Sequence, residues 1–149
     1  MSYNKLKSLV ANVEAIATAM KIRIDDRQAT DQEKEVLSRY SGFGGIKDVL
    51  SIGTEHTVSN DVAEHIHRLQ DLIEAYPYYD DAMRQAVIDS IKSSVLTAFY
   101  TPKFLIDAVA RQIHATFMDN GLQMRTFLEP SAGIGGFLPV AMPDTRGYA

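Results

Sequence analysis

The chain has 149 residues, of which 46% are hydrophobic and 23% charged, a mix that builds a packed core rather than a disordered polymer. It has no cysteine, which excludes disulfides and thiolate metal sites, and no apolar run approaches the roughly 18 residues that cross a bilayer. The formal net charge of −4 does not favour a free-standing DNA-binding module, which is usually basic. The start, Met1-Ser2-Tyr3-Asn4-Lys5-Leu6-Lys7, lacks the apolar centre of a signal peptide, so the expected compartment is cytoplasmic.

Asn4 is placed to cap a first helix. Along it Leu6, Leu9, Val10, Val13, Ile16, Ala17 and Met20 recur at helical spacing and make one apolar face. This helix is expected to stop between residues 22 and 26. Thr30-Asp31-Gln32-Glu33 has the capping-box pattern and opens a second helix expected to run through Tyr40. Its Asp31 and Glu33 lie near the positive end of the helix dipole. In Ser41-Gly42-Phe43-Gly44-Gly45-Ile46, three glycines surround one aromatic, which reads as a flexible turn with Phe43 as a buried anchor. A tight helix–helix connection and a loop touching ligand or DNA both fit that pattern. A short helical turn is expected over residues 46–50 and loop over residues 51–59.

Ser59 or Asn60 caps a third helix with Val62, Ile66, Leu69 and Ile73 on its buried side, and Tyr76-Pro77 ends it. Asp80-Asp81 begins a fourth, with Met83, Ala86, Val87 and Ile91 facing inward. Thr101 as N-cap and Pro102 as first helical residue start a fifth. Leu105, Ile106, Val109, Ile113 and Phe117 form its apolar face, and the αL-tolerant Asp119-Asn120-Gly121 ends it. The first convincing strand, expected to be buried, is residues 124–128, and residues 143–149 at most begin a second. The expected fold class is thus mainly α, with about five helices and one or two C-terminal strands. A helical region over residues 1–95 precedes a second segment, 96–149. A βαβ unit takes roughly 30 residues or more, so the sheet is expected to be incomplete here and the chain to be a fragment. An unpaired apolar strand invites association, and a homodimer of the fragment is one expected consequence.

Chemistry concentrates in two stretches. Phe127-Leu128-Glu129-Pro130-Ser131-Ala132-Gly133-Ile134-Gly135-Gly136-Phe137 reads as a strand end, a carboxylate, a Gly-rich turn and a helix start. A phosphate loop would need Gly-Lys-Ser/Thr, and a dinucleotide fingerprint would need a small residue at Leu138. Glu129 would also repel a pyrophosphate. It suits a ligand with cationic or donor groups, and S-adenosylmethionine carries an ammonium, a sulfonium and ribose hydroxyls. A plain β-to-α turn with glycines for close packing is the alternative. Upstream, Thr97-Ala98-Phe99-Tyr100-Thr101-Pro102 supplies an aromatic wall, a hydroxyl and free N–H groups at a positive helix end, able to hold a carboxylate. A core-anchored helix start is the alternative there. His65 and His67, two apart, point away from each other on a helix and cannot share a metal. His56 and His114 are isolated. Tyr76, Tyr78 and Tyr79 fit packing at an interhelical corner better than base stacking.

Together these residues resemble the adenine-N6 DNA methyltransferases. In that family a Tyr-Thr-Pro segment precedes one helix and a strand ending in Leu-Glu-Pro-Ser-x-Gly-x-Gly-x-Phe, matched here by Tyr100-Thr101-Pro102 and by residues 128–137. The stretch 94–102 and the segment Tyr40-Ser41-Gly42-Phe43-Gly44-Gly45 also look like parts of large methylase–helicase proteins of phages and conjugative elements. The resemblance covers roughly residues 36–143. It implies the start of a Rossmann-like class I S-adenosylmethionine-dependent fold. It also implies cofactor contacts from Thr97, Phe99, Tyr100, Thr101, Pro102, Glu129, Pro130, Ser131, Ala132, Gly133 and Gly135, with Phe137 anchoring the turn. DNA, reached through the full-length protein, and the rest of the methyltransferase domain are the implied partners. A membrane and a metal are not.

The family acts through a Pro-Pro-aromatic motif that receives the flipped adenine, and this chain has no Pro-Pro pair. The whole protein would pass a methyl from sulfonium to adenine N6 by in-line displacement, whereas this chain alone is expected to be inactive, with weak cofactor binding. The alternative is a helical DNA- or protein-binding module of a mobile-element protein, with no catalytic role of its own.

Overall fold

The Asn4 side chain accepts from the Lys7 amide at 3.0 Å and opens α1 (Lys5–Ile24), as its sequence position predicts. A computed structural model describes residues 4–54, 59–128, 133, 135–137 and 146–148, and they are mainly helical. After α1 come α2 (Asp31–Leu37), a 3₁₀ turn (Lys47–Ser51), α3 (Asn60–Ala75), α4 (Asp81–Ser94), α5 (Lys103–Asp119) and the strands β1 (Thr126–Leu128) and β2 (Arg146–Tyr148). The chain divides into two compact units, Met1–Phe99 and Tyr100–Ala149.

The first unit is built around one hydrophobic cluster. Leu9 and Val13 of α1 meet Ile66, Leu69 and Ile73 of α3, and Val95 closes the cluster beyond α4. Phe43, Ile46, Val49 and Ile52 supply the rest from a stretch whose only helix is the 3₁₀ turn. Full burial of such a side chain stabilises by about 1.5–3 kcal/mol. The irregular segment therefore matters more to this core than α2, which buries no residue.

A seven-residue helix is marginal alone, and α2 is held by its ends. Thr30 and Glu33 make the predicted capping box, the Thr30 hydroxyl accepting at 3.3 Å and the Glu33 carboxylate accepting from the Thr30 amide at 2.9 Å. Arg27 donates to both oxygens of Glu33 at 2.7 Å and to Asp25 at 3.1 Å. These bonds lower the Glu33 carboxyl from 4.5 to about 2, the Arg27 guanidinium being the largest cause. The same bonds raise the Arg27 guanidinium. The helix stops at Leu37, short of the expected Tyr40. Ser38 donates its hydroxyl to Glu35, and tighter turns from Val36 and Leu37 replace the helix. Tyr40 then meets Phe43 edge-on at 6.3 Å.

Other boundaries shift for similar reasons. In α4, Asp80 caps as expected by accepting from the Met83 amide. Met83, however, is 51% exposed, and Ala86 is exposed as well. The inward face is Val87, Ile88 and Ile91, because the core lies one position round the helix from the predicted stripe. Ser59 stands at the N-cap of α3 without a side-chain bond. Tyr76 is buried and packs edge-on with Tyr78 and Tyr79, which agrees with the corner reading. Thr101 is not the cap of α5. Pro102 holds that place with ψ of 141°, and its carbonyl accepts from Leu105 and Ile106. A residue before proline is pushed to extended backbone, and here proline is extended too, so the helix starts one residue later. The exit of α5 is as predicted: Gly121 at φ 62° donates to Met118, and Leu122 donates to Phe117, a Schellman turn.

The predicted strand 124–128 is shorter and less buried than expected, with β1 only half-covered at Phe127 and Leu128 71% exposed. It pairs in parallel with β2 of the same chain, Phe127 opposite Gly147. The premise of an unpaired strand, from which the homodimer was expected, does not hold. Among the described residues no helix is long and apolar enough to cross a membrane.

Two predictions follow from this packing. Asn12, fully buried in α1, donates to the Gly42 carbonyl at 2.7 Å and accepts from the Ser41 amide at 2.8 Å. Asn12→Ala leaves the buried Gly42 carbonyl unpaired and should cost about 2–4 kcal/mol in urea unfolding. Asn12→Asp, which loses the donor, should fail to restore it. The depressed Glu33 carboxyl contributes stability that is complete above pH 4.5 and lost as the pH falls through about 2. In urea titrations, Glu33→Gln should lack this acid-sensitive component, and the difference from the parent chain should shrink over that window.

Candidate functional site

The loop at residues 41–45 is fixed from two sides within the first unit. From α1, Asn12 binds Gly42 and Ser41. From the segment following α4, the Val95 carbonyl accepts from the Gly45 amide at 2.9 Å. Gly42 and Gly45 have φ of 73° and 74°, a region where a side chain is strained. Gly44 is required for a different reason. A Cβ there would stand 2.2 Å from the Ala98 carbonyl oxygen and 3.1 Å from the Phe99 ring. The Tyr-x-Gly-Phe-Gly-Gly segment and the stretch entering Phe99, more than 50 residues apart in sequence, are thus in direct contact.

Residues 95–99 form a descending series of tight turns. Val95 donates to Lys92, Leu96 to Ser93, Thr97 and Ala98 to Ser94, and Phe99 to Thr97. Val95 is buried and anchors the series. Leu96 and Phe99 are 80% and 67% exposed. The Thr97 hydroxyl donates weakly to the Ser93 carbonyl at 3.4 Å and is otherwise open to solvent.

In the second unit, Tyr100 is half-buried and Thr101 and Pro102 are exposed. They lead directly into α5, whose N-terminus has no side-chain cap. Among the described residues, the Lys103 and Phe104 amides have no hydrogen-bond partner, so the positive end of the helix is open. Gly133 and Gly135 have φ of 54° and 75°, and Gly135 and Phe137 are half-buried. A Cβ on Gly136 would come within 2.9 Å of Ile106 of α5, so this glycine permits close packing of turn on helix. Glu129, Pro130, Ser131 and Ala132 lie outside the described residues, as does His56.

The predicted site residues are accordingly split. Thr97 and Phe99 belong to the first unit, and Tyr100, Thr101, Pro102, Gly133 and Gly135 to the second. Among the described residues no cluster of histidine and carboxylates could hold a metal. Sequence reasoning did not foresee a groove of about 390 Å³ between α1 and α3, with Ala17, Met20, Ile24, Leu72 and Tyr76 among its walls. The apolar spacing of α1 gave its near wall, but nothing local reveals which part of a helical stripe a neighbour leaves uncovered. No family model, curated protein or solved structure matches the chain.

The two phenylalanines separate core from surface. Phe43→Ala should cost about 3–5 kcal/mol. Phe99→Ala should change the urea midpoint by no more than about 0.5 kcal/mol, although its ring lies against the same glycines.

Proposed function

We propose that this chain is the N-terminal helical region and opening cofactor segment of an S-adenosylmethionine-dependent DNA adenine-N6 methyltransferase. The observation that carries the reading is the pair of segments Tyr100-Thr101-Pro102 and Leu128-Glu129-Pro130-Ser131-Ala132-Gly133-Ile134-Gly135-Gly136-Phe137, in that order and separated by one helix. Three structural features support it. The first of the two segments opens directly into the uncapped N-terminus of α5, where unpaired amides suit a carboxylate such as the methionyl end of the cofactor. Gly133 and Gly135 take positive φ, which lets a backbone approach a ligand without an intervening side chain. β1 and β2 pair in parallel, the arrangement required at the start of an open α/β sheet with its ligand at the strand ends.

In this reading the chain's own residues bind and orient rather than react. The Lys103 and Phe104 amides hold the carboxylate, and Thr101 lies beside it. Glu129 receives the ammonium, and the glycines admit the nucleoside. When bound, the cofactor supplies an electrophilic methyl on its sulfonium. The group that accepts the adenine amino hydrogens is absent from this sequence, which has no Pro-Pro-aromatic motif.

A DNA-docking role for the helical region gains little from the charges. Lys34 and Arg39 are already paired with Asp31 and Glu35, and Lys21 and Arg23 stand in the last turn of α1.

Titration with S-adenosylhomocysteine, followed by amide chemical shifts, tests the reading. Saturable shifts at residues 100–106 and 133–137 are expected, with weak affinity and no transfer of labelled methyl to DNA. Shifts confined to the groove between α1 and α3, or none at millimolar ligand, would overturn it. Methyl transfer by residues 1–149 alone would show that the catalytic group had been misplaced.

A further inference from the structure

The groove between α1 and α3 belongs wholly to the first unit and takes no part in the cofactor reading. Its walls come from residues 17–24 of α1 and 68–75 of α3, about two turns of each helix or roughly 12 Å. Met20 and Leu72 are half-buried along it, Ile24 is exposed, and Tyr76 at the C-cap of α3 is buried. Ala17 and Ala75 keep it open, because a larger side chain at either place would occupy the space. The resulting volume of about 390 Å³ falls within the roughly 300–1,000 Å³ of small-molecule sites, which are apolar with a few polar groups that fix orientation. A protein partner buries about 800 Å² on each side, more than two turns of two helices offer.

The charged groups on the groove are Lys21 of α1 and Arg68 and Asp71 of α3, all exposed. Among the described residues Arg68 makes no ion pair with Asp71, whereas Lys34 and Arg84 do pair with a carboxylate three positions away on their own helices. Two cations thus stand against one carboxylate. The helix ends count against an anion, since the carboxyl end of a helix carries about half a negative charge. That field falls off within the last turn. Lys21 offsets it in α1, and Arg68 lies about two turns before the end of α3. We infer that the groove binds a small aliphatic carboxylate. Its tail lies against Met20, Ile24 and Leu72, flexible or branched side chains that suit an alkyl chain. Its head group is received by Lys21 as a point charge and by Arg68 through paired N–H donors.

The test follows amide chemical shifts of the whole chain against decanoate, decanol and decylamine at millimolar concentration. Decanoate should give saturable shifts centred on residues 17–24 and 68–76, and decylamine should bind at least about threefold more weakly. Exposed ion pairs are worth a factor of roughly 1.5–5 each. The double variant Lys21→Gln, Arg68→Gln should therefore lose at least about threefold in decanoate affinity and keep its affinity for decanol. Both positions are exposed, so its urea midpoint should match that of the parent. Ala75→Leu, at an exposed position of the wall, should weaken decanoate and decanol alike by filling the space. The inference is overturned by the absence of saturable decanoate shifts, by decylamine binding within threefold of decanoate, by a smaller loss in the double variant, or by unchanged binding in Ala75→Leu. Shifts of the same residues with protein concentration in the ligand-free chain would overturn it too, by placing a second copy of the chain in the groove.

Discussion

The first unit depends on one buried polar side chain. Asn12 lies in the middle of α1 with no exposure, at a position where leucine or valine would extend the helix's apolar face. It is there because the loop at residues 41–45 brings polar backbone into the core, and buried carbonyl and amide groups need partners. One amide side chain satisfies both, donating to Gly42 and accepting from Ser41. With that loop pinned, Phe43 can enter the core, and Ile46, Val49 and Ile52 can follow it from the 3₁₀ turn and its flanks. Without it, the same glycines would be an entropic liability.

The pinned loop also explains why the end of α4 is irregular. A helix ending at Ser94 would normally be closed by a glycine in the left-handed region. Here the Val95 carbonyl is satisfied from across the core by Gly45 instead. The chain then steps down through tight turns to Phe99 at the limit of the unit. The segment most suggestive of chemistry therefore takes its shape from a loop more than 50 residues earlier. The second unit follows a different rule. None of the residues of α5 is fully buried, and Phe104, Leu105, Val109 and Met118 are exposed along it. Its inner side is only half-covered, at Ile106, Ile113 and Phe117.

Much of this was legible residue by residue. Asn4, Thr30 with Glu33, Asp80 and Gly121 each act where the sequence places them, because a cap is a contact between neighbours three or four residues apart. The failures share a cause. Tyr40 leaves α2 because Phe43 draws it elsewhere. Met83 faces out because the core stands to one side of the stripe of α4. β1 is short, and among the described residues it pairs with β2 alone. Of the candidate site, the sequence alone supplied the residues and their order. The helix start could be read only approximately, since Pro102 rather than Thr101 takes the cap.

The helical character, most of the caps, the buried role of Phe43 and the segments that suggest a cofactor are written locally in the chain. These follow from local propensity and from spacing along the chain. Folding is what makes Asn12 a partner for loop backbone, leaves Gly44 bare beside Ala98, and lets Gly45 complete the end of α4. Each joins residues about 30 to 54 positions apart. A glycine required by a distant carbonyl looks the same in sequence as one required by its own turn. The difference is the atom that a Cβ would strike, and folding alone brings that atom near.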